Sequence, residues 1–220
     1  MGRIPQPSDS RGSLRWIQRL VNEHQLVLDS AIGLGPIRWL SPLKDDHHAE
    51  YRDQAFLDLL EVQLRSRPLN TFWPTKGPQW DALGRAESGE AVLVEAKAHI
   101  SELFSPPSQA SPKSLLLIQQ SLRECAAALG ASPGCDWSAR FYQYANRLAH
   151  AYLLHELNEV PTQLVFVNFV GDDDVSGPRT RMEWDVAMQV LHEALGLTGH
   201  LPKYVLEVAI DVSQDAPVGV

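Results

Sequence analysis

The chain has little cysteine, no long apolar run and a shortage of positive charge, and each lack removes a class of function. Cys125 and Cys135 are its only cysteines, and they are not spaced as a redox or zinc pair. A disulfide framework is therefore not expected; reduced thiols in a cytoplasmic protein are. No stretch approaches the roughly 18 apolar residues that span a bilayer, so no membrane role is expected. The opening residues, MGRIPQPSDSRGS, have no apolar segment after Arg3 and do not resemble a secretory signal. They read as a flexible arm over residues 1–12. Against 27 Asp and Glu stand 19 Lys and Arg, a formal charge of −8. That argues against a basic coat for non-specific nucleic-acid binding, although a local basic groove can coexist with it. There is no glycine-rich phosphate loop, no nucleophile elbow and no internal repeat.

What remains is an ordinary globular composition. The 220 residues suffice for one sizeable core, and we expect one domain over residues 13–212 with a tail over 213–220. Apolar periodicity predicts a helix from Ser13 to about Ser30 and another from about His47 to Leu64, capped by Asp45 or Asp46. Further helices are predicted over Leu115–Leu129, Ser138–Glu159 and Glu183–Leu195, the last closed by Gly196. Gln163–Val170 and Tyr204–Val212 read as strands. Trp39, Leu40 and Leu43 read as an apolar connection broken by two prolines. The alternation of element types predicts an α/β fold, a central mixed β-sheet flanked by helices on both faces.

The informative stretch is FWPTKGPQWDALGRAESGEAVLVEAKAHI, Phe72 to Ile100. Ala91 to Ile100 reads as one strand, with Val92, Val94, Ala96, Ala98 and Ile100 on one face. Glu95, Lys97 and His99 share the other face with Ala91 and Leu93. Charge on so apolar a strand is costly without a partner. Asp81 lies upstream, after the Gly77-Pro78 turn, in a segment able to pair with this strand as a hairpin. An Asp, then a Glu and a Lys two apart on the next strand, is a constellation for metal-assisted hydrolysis. A buried ion cluster at a strand end is the competing explanation.

These residues resemble the active-site core of the PD-(D/E)xK nuclease superfamily, the restriction-endonuclease-like fold. Asp81 matches the first acidic position and Glu95-Ala96-Lys97 the (D/E)xK triplet, which occurs once in the chain. The resemblance covers about Asp45 to Val170. Pro78 stands three residues before Asp81 instead of next to it, a departure that the family tolerates. The resemblance implies Mg²⁺ (or Mn²⁺) held by Asp81, Glu95 and the Ala96 carbonyl, with Lys97 as the catalytic lysine. It implies a phosphodiester substrate, DNA before RNA, and allows a homodimer. A catalytically silent binding or assembly module of the same fold is the alternative.

The resemblance also implies an acidic residue on the preceding helix. Glu50 fits, and Glu61, on the same helix line, competes. On the long helix, Gln143, Arg147 and His150 share a face, and the family places a glutamine or basic residue there. Gln143 is the first candidate, with Asn146 and Arg147 as further substrate contacts; a solvated helix face is the plain alternative. His99 shares the face of Glu95 and Lys97, either as a substrate contact at the rim of the site or as a satisfied strand-end histidine. His47 and His48 could pair with Glu50 for zinc, Asp172 to Asp174 could bind a cation, and Trp73 and Trp80 could stack on a base or simply pack.

Overall fold

The computed structural model describes residues 2–8, 10–199, 201–214 and 218–219. In chain order its first elements are β1 (Arg3–Ile4), α1 (Ser13–Glu23), α2 (Gln25–Ile32), β2 (Ile37–Ser41) and β3 (Glu50–Tyr51). Then come α3 (Gln54–Leu59), α4 (Leu69–Phe72), β4 (Ala82–Ala86) and β5 (Ala91–Lys97). The second half holds α5 (Pro112–Ala128), α6 (Tyr142–His155), β6 (Thr162–Val170), α7 (Arg181–Leu195), β7 (Val205–Asp211) and β8 (Val218–Gly219).

The main sheet has the order β2-β4-β5-β6-β7-β8, and β1 pairs separately with β3. Strands β2, β4 and β5 form an antiparallel meander, whereas β5, β6 and β7 run parallel. Parallel neighbours need a crossover, and α5 with α6 supplies it between β5 and β6. Strand β6, with a parallel neighbour on each side, is buried at all nine positions. A strand covered on both faces needs a near-continuous apolar run, which Leu164–Val170 provides except at Asn168.

Two cores follow from strand alternation. On one face Val92, Val94, Ala96 and Ala98 pack with Val165, Val167 and Phe169 under Trp16, Ile17 and Leu20 of α1 and Leu28 of α2. On the other, Ala91, Leu93, Leu164 and Phe166 pack under α3, α6 and α7 through Phe56, Leu148, Leu153 and Trp184. The α/β fold with helices on both faces is thus as expected.

Local chemistry fixes the helix ends. Ser111 accepts from the Ser114 amide ahead of Pro112 at the start of α5. Thr180 and Glu183 form a capping box on α7, which Gly196 closes in the left-handed conformation at φ 71°. No helix among the described residues is long and apolar enough to cross a membrane.

Several expectations need correction. The helix expected from His47 to Leu64 shrinks to the six-residue α3, because His47, His48 and Asp53 all adopt positive φ. Glu50 therefore lies on strand β3. The first helix breaks at His24 into α1 and α2. The segment read as an apolar connection is strand β2, with Ile37, Trp39 and Ser41 buried in alternation. The N-terminal residues, expected to be flexible, are tied down: Arg3 pairs with Tyr51 across β1 and β3 and forms a 2.7 Å ion pair with Asp46. Of the expected tail, Val218–Gly219 pairs with β7, and residues 215–217 and 220 lie outside the described residues.

Candidate active site

Asp81 immediately precedes β4, and Glu95 and Lys97 lie near the end of β5, so the hairpin brings the three together. The Asp81 amide donates to the Val94 carbonyl at 3.1 Å, and its Oδ2 accepts from the Ala96 amide at 2.7 Å. Antiparallel pairing thereby sets the Asp81 carboxylate against the backbone of the ExK triplet. The Ala96 methyl points into the opposite core. Glu95 and Lys97 project toward α6.

There Glu95 meets two cations. Its Oε1 accepts from Lys97 Nζ at 2.5 Å and its Oε2 from Arg147 Nε at 2.6 Å. Arg147 also donates from Nη1 to Asn146 Oδ1 and from Nη2 to the Gln79 carbonyl, each at 2.8 Å. Its guanidinium lies 5.0 Å from the Trp80 ring centroid. The sequence expectation of a solvated face on this helix does not hold. Helix α6 is covered by the sheet on one side and α5 on the other, and Arg147 and His150 are buried.

Glu50 completes the cluster. Its Oε2 accepts from Gln79 Nε2 and, at 3.0 Å, from Gln6 Nε2. The segment after β1, held by the bond from the Gln6 amide to the His47 carbonyl, carries Gln6 to this position. No local pattern announces either glutamine, whose contacts with Glu50 span 44 and 29 residues of chain. Glu61, the competing acid, is exposed and has no place here.

A cleft of about 710 Å³ opens beside these groups. Glu50, Asp81, Lys97, Gln143, Asn146 and Arg147 line it, and loop residues 76–79 and 104–109 supply much of the remaining wall. The half-buried Gln143 donates its backbone amide to Ser105 Oγ at 2.8 Å, which ties the second loop to α6. His99 is not in the lining. Its Nδ1 accepts from the Ser101 amide at 2.9 Å and caps the short turn of Ile100–Leu103, which is the satisfied strand-end alternative and not the rim position.

Other candidates also resolve. Trp80 is fully buried and Trp73 nearly so, which favours packing over stacking on a base. His150 packs edge-on to Trp73 with centroids 4.8 Å apart. Burial pushes its pKa down to about 3, so the ring is a neutral packing element. Asp172 accepts from Trp16 Nε1 at 2.9 Å and Arg15 Nη2 at 3.2 Å, making it an internal anchor. Among the described residues no three His, Cys, Asp or Glu side chains form a ready metal cluster. Glu50 is turned to Gln6 and Gln79, so it is engaged apart from His47 and His48. Glu95 is turned to its cations, leaving Glu50 and Asp81 as the carboxylates of the inner cluster on the cleft.

The electrostatics follow from counting. Glu50, Asp81 and Glu95 face only Lys97 and Arg147 within the cluster. Burial raises the Glu95 pKa, but Arg147 and Lys97 outweigh it and the net displacement is downward. Burial pulls Lys97 down, yet Glu95 and Asp81 overcome it and hold the ammonium charged. The excess negative charge falls on the other two acids. Asp81 is raised well above the carboxylate range by burial, then by Glu95 and Glu50. Glu50 is raised to about 7, mainly by burial.

The pH dependence of stability follows. The folded protein keeps a proton on Glu50 that the unfolded chain releases near pH 4.5, so metal-free stability falls as pH rises from there to about 7. Glu50→Gln removes the Glu50 share of this dependence, leaving that of Asp81, and should stabilise the metal-free protein at pH 8 by on the order of 2–3 kcal/mol. Thermal melts of both proteins from pH 5 to 8 check it. Parallel melting curves across that range would contradict the assignment.

The donor set suits a hard divalent cation. It offers oxygen ligands, the kind that such cations take, and one more carboxylate than internal cations. No protein-family description, curated protein or solved structure matches this chain.

Proposed function

We propose that the chain is a metal-dependent phosphodiesterase of the PD-(D/E)xK type with a restriction-endonuclease-like core, acting on nucleic acid. The observation that carries this reading is the placement of Asp81, Glu95 and Lys97. An acid at the mouth of one antiparallel strand adjoins an ExK triplet on the next, beside an open cleft. The β4-β5 hairpin is followed by the long helix α6 and by β6, within the stretch that the resemblance covers. Asp81 lacks a hydrogen-bonded cation of its own, which speaks against an inert cluster of closed pairs.

Asp81, Glu50, the Ala96 carbonyl and one oxygen of Glu95 are the groups that would hold the ion. Bound there, a divalent cation supplies Lewis-acid polarisation and lowers the pKa of a coordinated water. Lys97, held charged, serves as a cation and donor toward a phosphate oxygen or the attacking water, and is not a base in this state. Arg147 fixes Glu95 and, by its bond to the Gln79 carbonyl, the loop that carries Gln79 to Glu50.

One feature favours the silent-module alternative: both Glu95 oxygens are already engaged. Calorimetry with Mn²⁺ separates the two. The hydrolase reading expects saturable binding to the wild type and loss of at least about tenfold in affinity for Asp81→Asn. A wild type that binds no Mn²⁺ supports the silent module.

A further inference from the structure

Resting on the hydrolase reading, we propose that the cleft takes an unpaired nucleic-acid strand, with a base against Phe104 and a phosphate toward Lys97. Intact duplex is excluded. The first argument is depth. The Lys97 side chain is only 12% exposed and that of Glu95 2%, so the reacting groups lie at the floor of the cleft. Its volume of about 710 Å³ falls in the range that encloses a single small ligand and accommodates a nucleotide or two. Loops 76–79 and 104–109, with Pro78, Pro106 and Pro107, wall the cleft above these groups, and a flexible single strand reaches such a floor more readily than a stiff duplex.

The second argument is charge. Glu50, Asp81 and Glu102 balance Lys76, Lys97 and Arg147 in the lining. Arg147 is bound to Glu95, Asn146 and Gln79, and Lys97 to Glu95. Lys76 is the exposed cation that remains. Duplex DNA presents a charge about every 1.7 Å and is bound through many basic contacts, which this cleft does not offer.

The third is an aromatic platform. Phe104 lines the cleft with 49% of its surface exposed, its ring centroid 5.2 Å from that of Phe141 behind it. Stacking on such a ring binds unpaired bases with little regard to sequence. Paired bases do not present their faces to it.

The test is fluorescence anisotropy in Ca²⁺ with short oligothymidylate, short oligouridylate and a blunt duplex, followed by cleavage in Mn²⁺. Wild type, Phe104→Ala and Phe104→Trp are compared. Either single strand should bind at least about tenfold more tightly than duplex. Phe104→Ala should lose about tenfold of that affinity and Phe104→Trp should recover it. Duplex bound and cut as well as single strands, or an unchanged Phe104→Ala, overturns this inference and leaves the hydrolase reading standing. If no probe is bound or cut, the hydrolase reading fails and this inference falls with it.

Discussion

On the proposed hydrolase reading, Lys97→Ala should lose roughly 10²–10³-fold in metal-dependent hydrolysis and keep its fold. The magnitude is that of removing one fixed, charged donor from a site where negative charge develops. The fold survives, at some cost in stability, because Arg147 keeps its 2.6 Å bond to Glu95 Oε2 and its bonds to Asn146 and the Gln79 carbonyl when Oε1 loses Lys97. Single-turnover kinetics beside a thermal melt checks both halves. The pairing matters because an activity loss through unfolding would look the same in kinetics alone. An unaltered rate removes Lys97 from the chemistry.

Arg147→Met does the opposite. It strands Glu95, which is 2% exposed, with Lys97 as its single cation, and it opens the bond to the Gln79 carbonyl. Breaking one side of a buried ion pair costs about 3–5 kcal/mol, the penalty for leaving a charge without its partner in a poorly solvated interior. For a chain of this size that corresponds to a fall in Tm of roughly 6–20 °C. The combined Glu95→Gln, Arg147→Met variant should recover much of the loss, because no charge is then stranded. A single variant that melts with the wild type would show that Arg147 does not hold the cluster together.

The readable parts of this chain are those where one physical rule acts alone. Strand β5 could be read on both faces because side-chain alternation is unbroken from Ala91 to Lys97, and the Asp81, Glu95 and Lys97 grouping came with it. Strand β2 was not readable, since its five residues lie between Pro36 and Pro42 and look like a broken connection. Glu50 was assigned to the cleft but to a helix. The apolar spacing from Ala55 to Val62 extends backward on paper, whereas three residues with positive φ stop it in the fold. Arg147 and His150 read as a wet face because periodicity within one helix cannot reveal that another helix covers it. Gln6 and Gln79 carry no local signal at all; only the pairing of β1 with β3 and the path of the 76–79 loop bring them to Glu50.

The central claim is that Asp81 and its neighbours form a metal-dependent centre that hydrolyses phosphodiesters. Its most direct test is end-labelled DNA and RNA, single-stranded and duplex, incubated with wild type and Asp81→Asn in Mg²⁺, in Mn²⁺ and in EDTA. The account predicts cleavage by the wild type only when metal is present, and none by Asp81→Asn. Intact substrate under every condition, from folded wild-type protein, would contradict it.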